Sequence, residues 1–116
     1  MSETYAPDNL LAGDFPLVTG SVTILSGQVL SRGAVLGKVT ASGKHILCDT
    51  GASNGSQNPD HILAEDVDAS GGDVEAIVYK TGQFNEDEIL LGGGGVADDV
   101  RDDLRALSLY LQAPSN

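Results

Sequence analysis

The sequence has no tryptophan, and aromatic residues make up only 4% of its 116 positions. Small aliphatic side chains must therefore fill most of the interior. Cysteine occurs once, at Cys48, which excludes a disulfide framework within the chain and fits a reducing compartment. At the end of an apolar run, with only Lys44 and His45 as nearby cations, that thiol reads as a small half-buried hydrophobe and not as a nucleophile. Basic residues are scarce: six against seventeen acidic ones, a formal charge of −11. Such a surface repels phosphate backbones and anionic headgroups, so neither direct nucleic-acid binding nor membrane binding is expected. No run approaches the roughly 20 apolar residues of a membrane-spanning helix. Residues 1 to 8 carry no basic n-region, so no export signal is expected.

What is present suits one domain. A chain of this length buries roughly two thirds of its unfolded surface. Residues 1–14, with Pro7, Gly13 and scattered acids, read as a flexible N-terminal arm, residues 15–113 as a β-rich domain and 114–116 as a tail. The arm and its exit nevertheless hold Tyr5, Leu10, Leu11, Phe15, Pro16, Leu17 and Val18, apolar groups that a purely solvating tail does not need. From Val22 to Phe84 short strands alternate with glycine turns: Val22 to Leu25, Gln28 to Leu30, Ala34 to Thr40, His45 to Cys48, Ile62 to Glu65 and Val74 to Tyr79. Ser42-Gly43, Gly71-Gly72 and Thr81-Gly82 provide the turn positions. After Glu75 the last strand carries apolar residues on both pleat faces, as a strand covered on two sides requires.

Beyond Phe84 the period changes. Asn85 followed by Glu86, Asp87 and Glu88 reads as a capped helix start that Gly92 would end, and Gly92 to Gly95 as a hinge. Asp98 and Asp99 then open a longer C-terminal helix running to Pro114. Its Val100, Leu104, Leu107 and Leu111 form one stripe, expected to pack on the chain's own β core.

Several motifs invite chemistry. Asp49-Thr50-Gly51-Ala52-Ser53 is the loop that carries the catalytic aspartate of pepsin-like and retroviral proteases, where a homodimer supplies the second carboxylate. A retropepsin-like homodimeric aspartic protease is therefore the alternative reading. The stretch that follows, Asn54 to Asp60, is all turn-formers without an aliphatic residue, unlike the apolar chain that builds such a barrel. Asp66 to Gly71 opens like a calcium loop but has Ile77 where the closing glutamate belongs, leaving a glycine hairpin. Gly33 to Val39 is one residue short of a phosphate loop, with Val39 where magnesium needs a hydroxyl. Lys44, between Gly43 and His45, lacks the flanking residues of a lipoyl or biotinyl carrier lysine and reads as an ordinary turn lysine. His45 and His61 lack a spaced third ligand and read as solvated or core-edge histidines. No catalytic residue, cofactor or metal is expected.

A longer match accounts for most of the chain. Ile62-Leu-Ala, an acidic hairpin, an apolar strand ending Tyr79-Lys-Thr-Gly-Gln-Phe84 and the acidic start Asn85-Glu-Asp-Glu-Ile-Leu90 occur in this order, preceded by the ribbon Gly33 to Lys44. Over roughly residues 15 to 112 this resembles the head decoration proteins of lambda-like tailed bacteriophages. The resemblance implies a mainly β fold, a β-clip-like bent ribbon with short helices including a C-terminal one, assembled as a homotrimer. It implies a non-enzymatic capsid protein, made in the host bacterial cytoplasm and seated on the outer surface of the expanded head. There it binds the major capsid protein at local threefold positions and stabilises the shell against DNA pressure. The capsid-binding residues would lie in the arm: Thr4, Tyr5, Pro7, Leu10, Leu11, Phe15, Pro16 and Leu17. The sequence departs from the family pattern in its long C-terminal helix and its Gly92 to Gly95 hinge.

Overall fold

The computed structural model describes residues 17–112. Eight strands form in chain order: β1 Val18–Ile24, β2 Val29–Leu30, β3 Val35–Lys38, β4 His45–Leu47, β5 Pro59–Leu63, β6 Val67–Asp68, β7 Val74–Asn85 and β8 Leu109–Gln112, with one α-helix, α1 Arg101–Arg105, just before β8. The chain is mainly β, as the strand patterns predict, although β7 runs six residues past its expected end.

Pairing follows the order β1-β4-β3-β5-β7, and β7 pairs back onto β1 over seven registers, from Val18↔Thr81 to Ile24↔Val74. The five strands thus close a ring, which hides edges that would otherwise invite aggregation. β2 and β6 form a separate two-stranded ribbon.

Alternation along the ring strands builds two cores. Leu36, Leu63, Ala76, Val78 and Ile24 are buried in one cluster, to which Leu47 and Val22 add, so every ring strand contributes and the cluster fills the ring. Their neighbours Val35, Ile62 and Tyr79 point the other way, into a second cluster with Cys48, Phe84, Val100, Leu104, Leu109 and Leu111. Phe84 is fully buried against Tyr79, with ring centroids 5.4 Å apart. The expectation of a two-sided β7 therefore holds at Ala76, Val78 and Tyr79. It fails at Ile77, which is 45% exposed.

The C-terminal part departs from its periodic reading. The helix expected from Asp98 to Pro114 consists of a 3-10 turn at Ala97–Asp99 and the five residues of α1. Ser108 then takes a left-handed φ of 68°, ending the helical turns, and β8 pairs in parallel with the second half of β7, from Gly82↔Leu109 to Asn85↔Gln112. Leu109 and Leu111 bury at strand spacing, while Leu107 of the predicted stripe is 44% exposed. Val100 and Leu104 do pack on the chain's own core, as expected.

The capped helix predicted at Asn85 is likewise only a three-residue 3-10 turn, Glu86–Glu88. Asn85 belongs to β7 and makes no side-chain cap bond. Pairing overrides the local signal here: Leu90 donates its amide to Gly33 O (3.1 Å) and accepts that of Val35 (2.9 Å). The glycine run is no free hinge either, because Gly92 N donates to Cys48 O (2.8 Å) and Gly95 N to Gly92 O (3.1 Å).

Candidate functional site

Of the predicted capsid-binding residues, Thr4, Tyr5, Pro7, Leu10, Leu11, Phe15 and Pro16 lie outside the described residues. So do the expected arm boundary at residue 14 and the tail at 114–116. Leu17 is described and immediately precedes β1. It is 46% exposed, as Val18 beside it is 49% exposed. The Val18 amide donates to Thr81 Oγ1 (3.1 Å) at the start of the β1–β7 ladder. Gly82, opposite, has φ 150°, and a Cβ there would stand 2.9 Å from Phe84 Cζ and closer still to the end of Leu17. The absence of a side chain at Gly82 thus lets Leu17 lie near the rim of the Phe84 core while keeping much of its surface in solvent.

The Asp-Thr-Gly loop follows β4 directly. Asp49 Oδ1 accepts the Gly51 amide (2.9 Å) and Asp49 O that of Ala52 (2.9 Å), an Asx turn. The Gly92–Gly95 turn lies over this carboxylate, so that a Cβ on Gly93 would be 2.8 Å from Asp49 Cγ. Asp49 serves as a turn-former under a glycine cover. Cys48 just before it is fully buried, not half-buried as expected, and burial together with the nearby Asp49, Asp60 and Asp103 charges pushes its thiol up to about 11. Such a thiol is inert at neutral pH.

The structure assembles a group that the sequence pattern does not reveal. His45 at the start of β4 and His61 in β5 flank the central strand β3, and Asp60 joins them. His45 Nε2 lies 2.8 Å from Asp60 Oδ2, and His61 Nδ1 lies 3.0 Å from Asp60 Oδ1. The two imidazoles meet edge to face at 5.5 Å. Burial alone would raise the Asp60 pKa, but the hydrogen bond with His45 and the adjacent His61 imidazole outweigh it and hold the carboxyl at about 2. Both histidines are core-edge residues, as expected; their convergence on one carboxylate is not.

Charge pairs fasten the remaining surface. Arg101 bonds Glu86 Oε1 (2.8 Å), Asp98 Oδ1 (2.9 Å) and Leu111 O (3.1 Å), tying α1 to β8 and to the turn after β7. Lys44 pairs with Asp73 across two hairpin turns. Arg32 Nη1 donates to Ala64 O (3.1 Å) and to the Tyr79 hydroxyl (2.6 Å).

A family model described as bacteriophage lambda head decoration protein D matches residues 1–108, nearly the whole chain. No curated protein matches the chain. The fold carries the same order of elements that supports the sequence resemblance: the ribbon of β3 and β4, the Ile62-Leu63 strand, the acidic β6 turn and the long strand through Tyr79 and Phe84. With so much of its length matched, the chain belongs to the bacteriophage lambda head decoration protein D family, whose role is structural and whose place is the phage capsid.

Proposed function

We propose that this protein is a homotrimer that seats on the outer surface of the expanded phage head at local threefold positions, contacts the major capsid protein there and stabilises the shell against DNA pressure. The observation that carries the reading is the family match over residues 1–108. Leu17 and Val18 add support: apolar and half-exposed, they leave the chain's entry into β1 with surface that a neighbouring molecule can cover.

Under this reading the contact is made by residues 1–14 together with Phe15, Pro16 and Leu17 at their exit. An extended arm with scattered apolar anchors adds main-chain hydrogen bonds to a sheet edge and places alternate side chains in pockets. Ordering such a segment costs free energy, so one arm binds weakly, while three on one particle raise the effective concentration and make attachment strong. The acidic surface suits a particle that must not adsorb loose nucleic acid.

The protease alternative draws no support from Asp49, whose carboxylate is engaged in an Asx turn. The test is particle mass by light scattering, together with head binding by a variant lacking residues 2–17. Three chains per particle, and a folded truncated protein that no longer decorates heads, are expected. A stable two-chain particle, or undiminished decoration by the truncated protein, would overturn the reading.

A further inference from the structure

The His45, Asp60 and His61 group has no part in shell binding as described above, and its geometry is not what a plain strand produces. Consecutive strand residues normally face opposite sides of a sheet. The β3–β5 register runs Val35↔Ile62, Leu36↔His61, Gly37↔Pro59, leaving Asp60 without a partner of its own in a β-bulge. Bulges re-aim side chains, and this one lets Asp60 and His61 converge on one spot. His45 reaches the same spot from β4, where it pairs with Lys38 on the other side of β3.

The group is also under-satisfied. His61 Nδ1 and Asp60 Oδ1 are close enough for an ion pair but not aligned for a hydrogen bond. Both are buried with no hydrogen-bond partner among the described residues, as is His45 Nδ1. Buried polar atoms are ordinarily paired, so three orphans within three residues call for an explanation. His45 is 5% exposed, whereas His61 and Asp60 keep 20% and 28% of their side-chain surface open, leaving a path to solvent on one side.

We propose that His45, Asp60 and His61 form a binding site for a divalent transition-metal ion of the zinc or nickel class. Two imidazoles and one carboxylate are donors of the right chemistry for such ions, and water from the open side completes the coordination. One candidate donor atom from each of the three residues lies within 4.8 Å of the others. A tetrahedral site with bonds of about 2.0–2.1 Å needs donors roughly 3.3 Å apart, so small ring rotations suffice. A cation between Asp60 Oδ1 and His61 Nδ1 gives two of the three orphaned atoms a partner. It also clips β4 to β5 across β3, which stiffens the ring at its bulge.

The test uses the untagged full chain, stripped with a chelator and titrated with Zn2+ or Ni2+ by calorimetry and thermal melting, with Mg2+ as the control for loose attraction to an acidic surface. One ion per chain, a raised melting temperature with Zn2+ or Ni2+ and none with Mg2+ are expected. The chain contains two histidines, both in this site, so both imidazole signals in the proton NMR spectrum should shift on metal addition. His61→Ala, at the more open position, removes one ligand and should weaken binding by at least about tenfold, since even outer-shell losses cost 10–100-fold. Absence of saturable Zn2+ and Ni2+ binding, binding unchanged in His61→Ala, or metal addition that leaves both imidazole signals in place would each overturn the proposal.

Discussion

Replacing Gly37 with alanine tests the packing that holds β3 at the centre of the ring. Gly37 is buried, and the loop from Asn54 to Asn58 folds directly over it. A Cβ at Gly37 would stand 2.7 Å from Ser56 C and Cα and closer still to its carbonyl oxygen. No flexible side chain can yield there, because the obstacle is backbone. That backbone is braced: Ser56 is fully buried, its amide and hydroxyl donate to Asn54 Oδ1 (3.1 and 2.6 Å), and Gly55 N donates to Gln57 Oε1 (2.8 Å). The loop must therefore lift as a unit, losing the bond from Thr40 N to Asn54 O. Overpacking costs about 1–3 kcal/mol, and the lost bond about 1 kcal/mol more. The sum, about 2–4 kcal/mol, corresponds to a melting-temperature fall of roughly 10–25 °C for a domain this size. Urea unfolding followed by circular dichroism at fixed protein concentration measures it. Gly71→Ala is the control: nothing lies within 4 Å of a Cβ there and its φ is not left-handed, so a change within about 0.5 kcal/mol is expected. If Gly37→Ala unfolds like Gly71→Ala, the loop does not press on β3 and the reasoning is wrong.

Other consequences follow from particular side chains. Leu109→Ala should cost about 2–5 kcal/mol, because Leu109 is fully buried in β8, while Leu107→Ala should cost under about 1 kcal/mol; a continuous C-terminal helix would reverse that order. With its thiol pushed up to about 11 by burial and neighbouring carboxylates, Cys48 should resist iodoacetamide at pH 7–8 in the folded chain and react promptly in urea; fast labelling of native protein would contradict its burial. Asp60, held at about 2, has a folded pKa below its unfolded value, so its stabilisation is fully present above about pH 4 and lost as pH falls towards 2. Allowing for partial solvent screening, this is worth about 1–2 kcal/mol. An Asp60→Asn variant that loses stability over this window as steeply as the parent would refute the assignment.

How much of this was legible in the sequence depends on where local pattern and tertiary pairing agree. The ring strands announce themselves through apolar alternation between glycine turns, and Val35-Leu36, Ile62-Leu63 and Val78-Tyr79 each serve both cores because neighbouring residues face opposite sides. The segment Leu104 to Leu111 satisfies two periods at once. Leu104, Leu107 and Leu111 fit a helix, whereas Leu107, Leu109 and Leu111 fit a strand; the open hydrogen-bonding edge of β7 decides for the strand from Leu109 onward. The acidic start at Asn85 loses to the pairing of Leu90 with Gly33 and Val35. Asp60 was hidden for a different reason: its convergence with His45 and His61 depends on a bulge, and a bulge is a property of register between strands. The Asp-Thr-Gly loop shows the reverse case, a short motif whose residues are all present while its aspartate closes an Asx turn. The apolar residues Tyr5, Leu10, Leu11 and Phe15, expected to anchor an N-terminal arm, stand out in the sequence, but they lie outside the described residues.

The measurement that bears most directly on the account is co-sedimentation of the purified protein with two forms of the phage head, the compact precursor shell and the expanded shell, across a range of protein concentrations. Saturable binding to expanded heads, with little on compact ones and a raised resistance of the decorated heads to rupture, is the predicted result. Failure to bind expanded heads, or equal binding to both forms without any gain in their mechanical resistance, would contradict it.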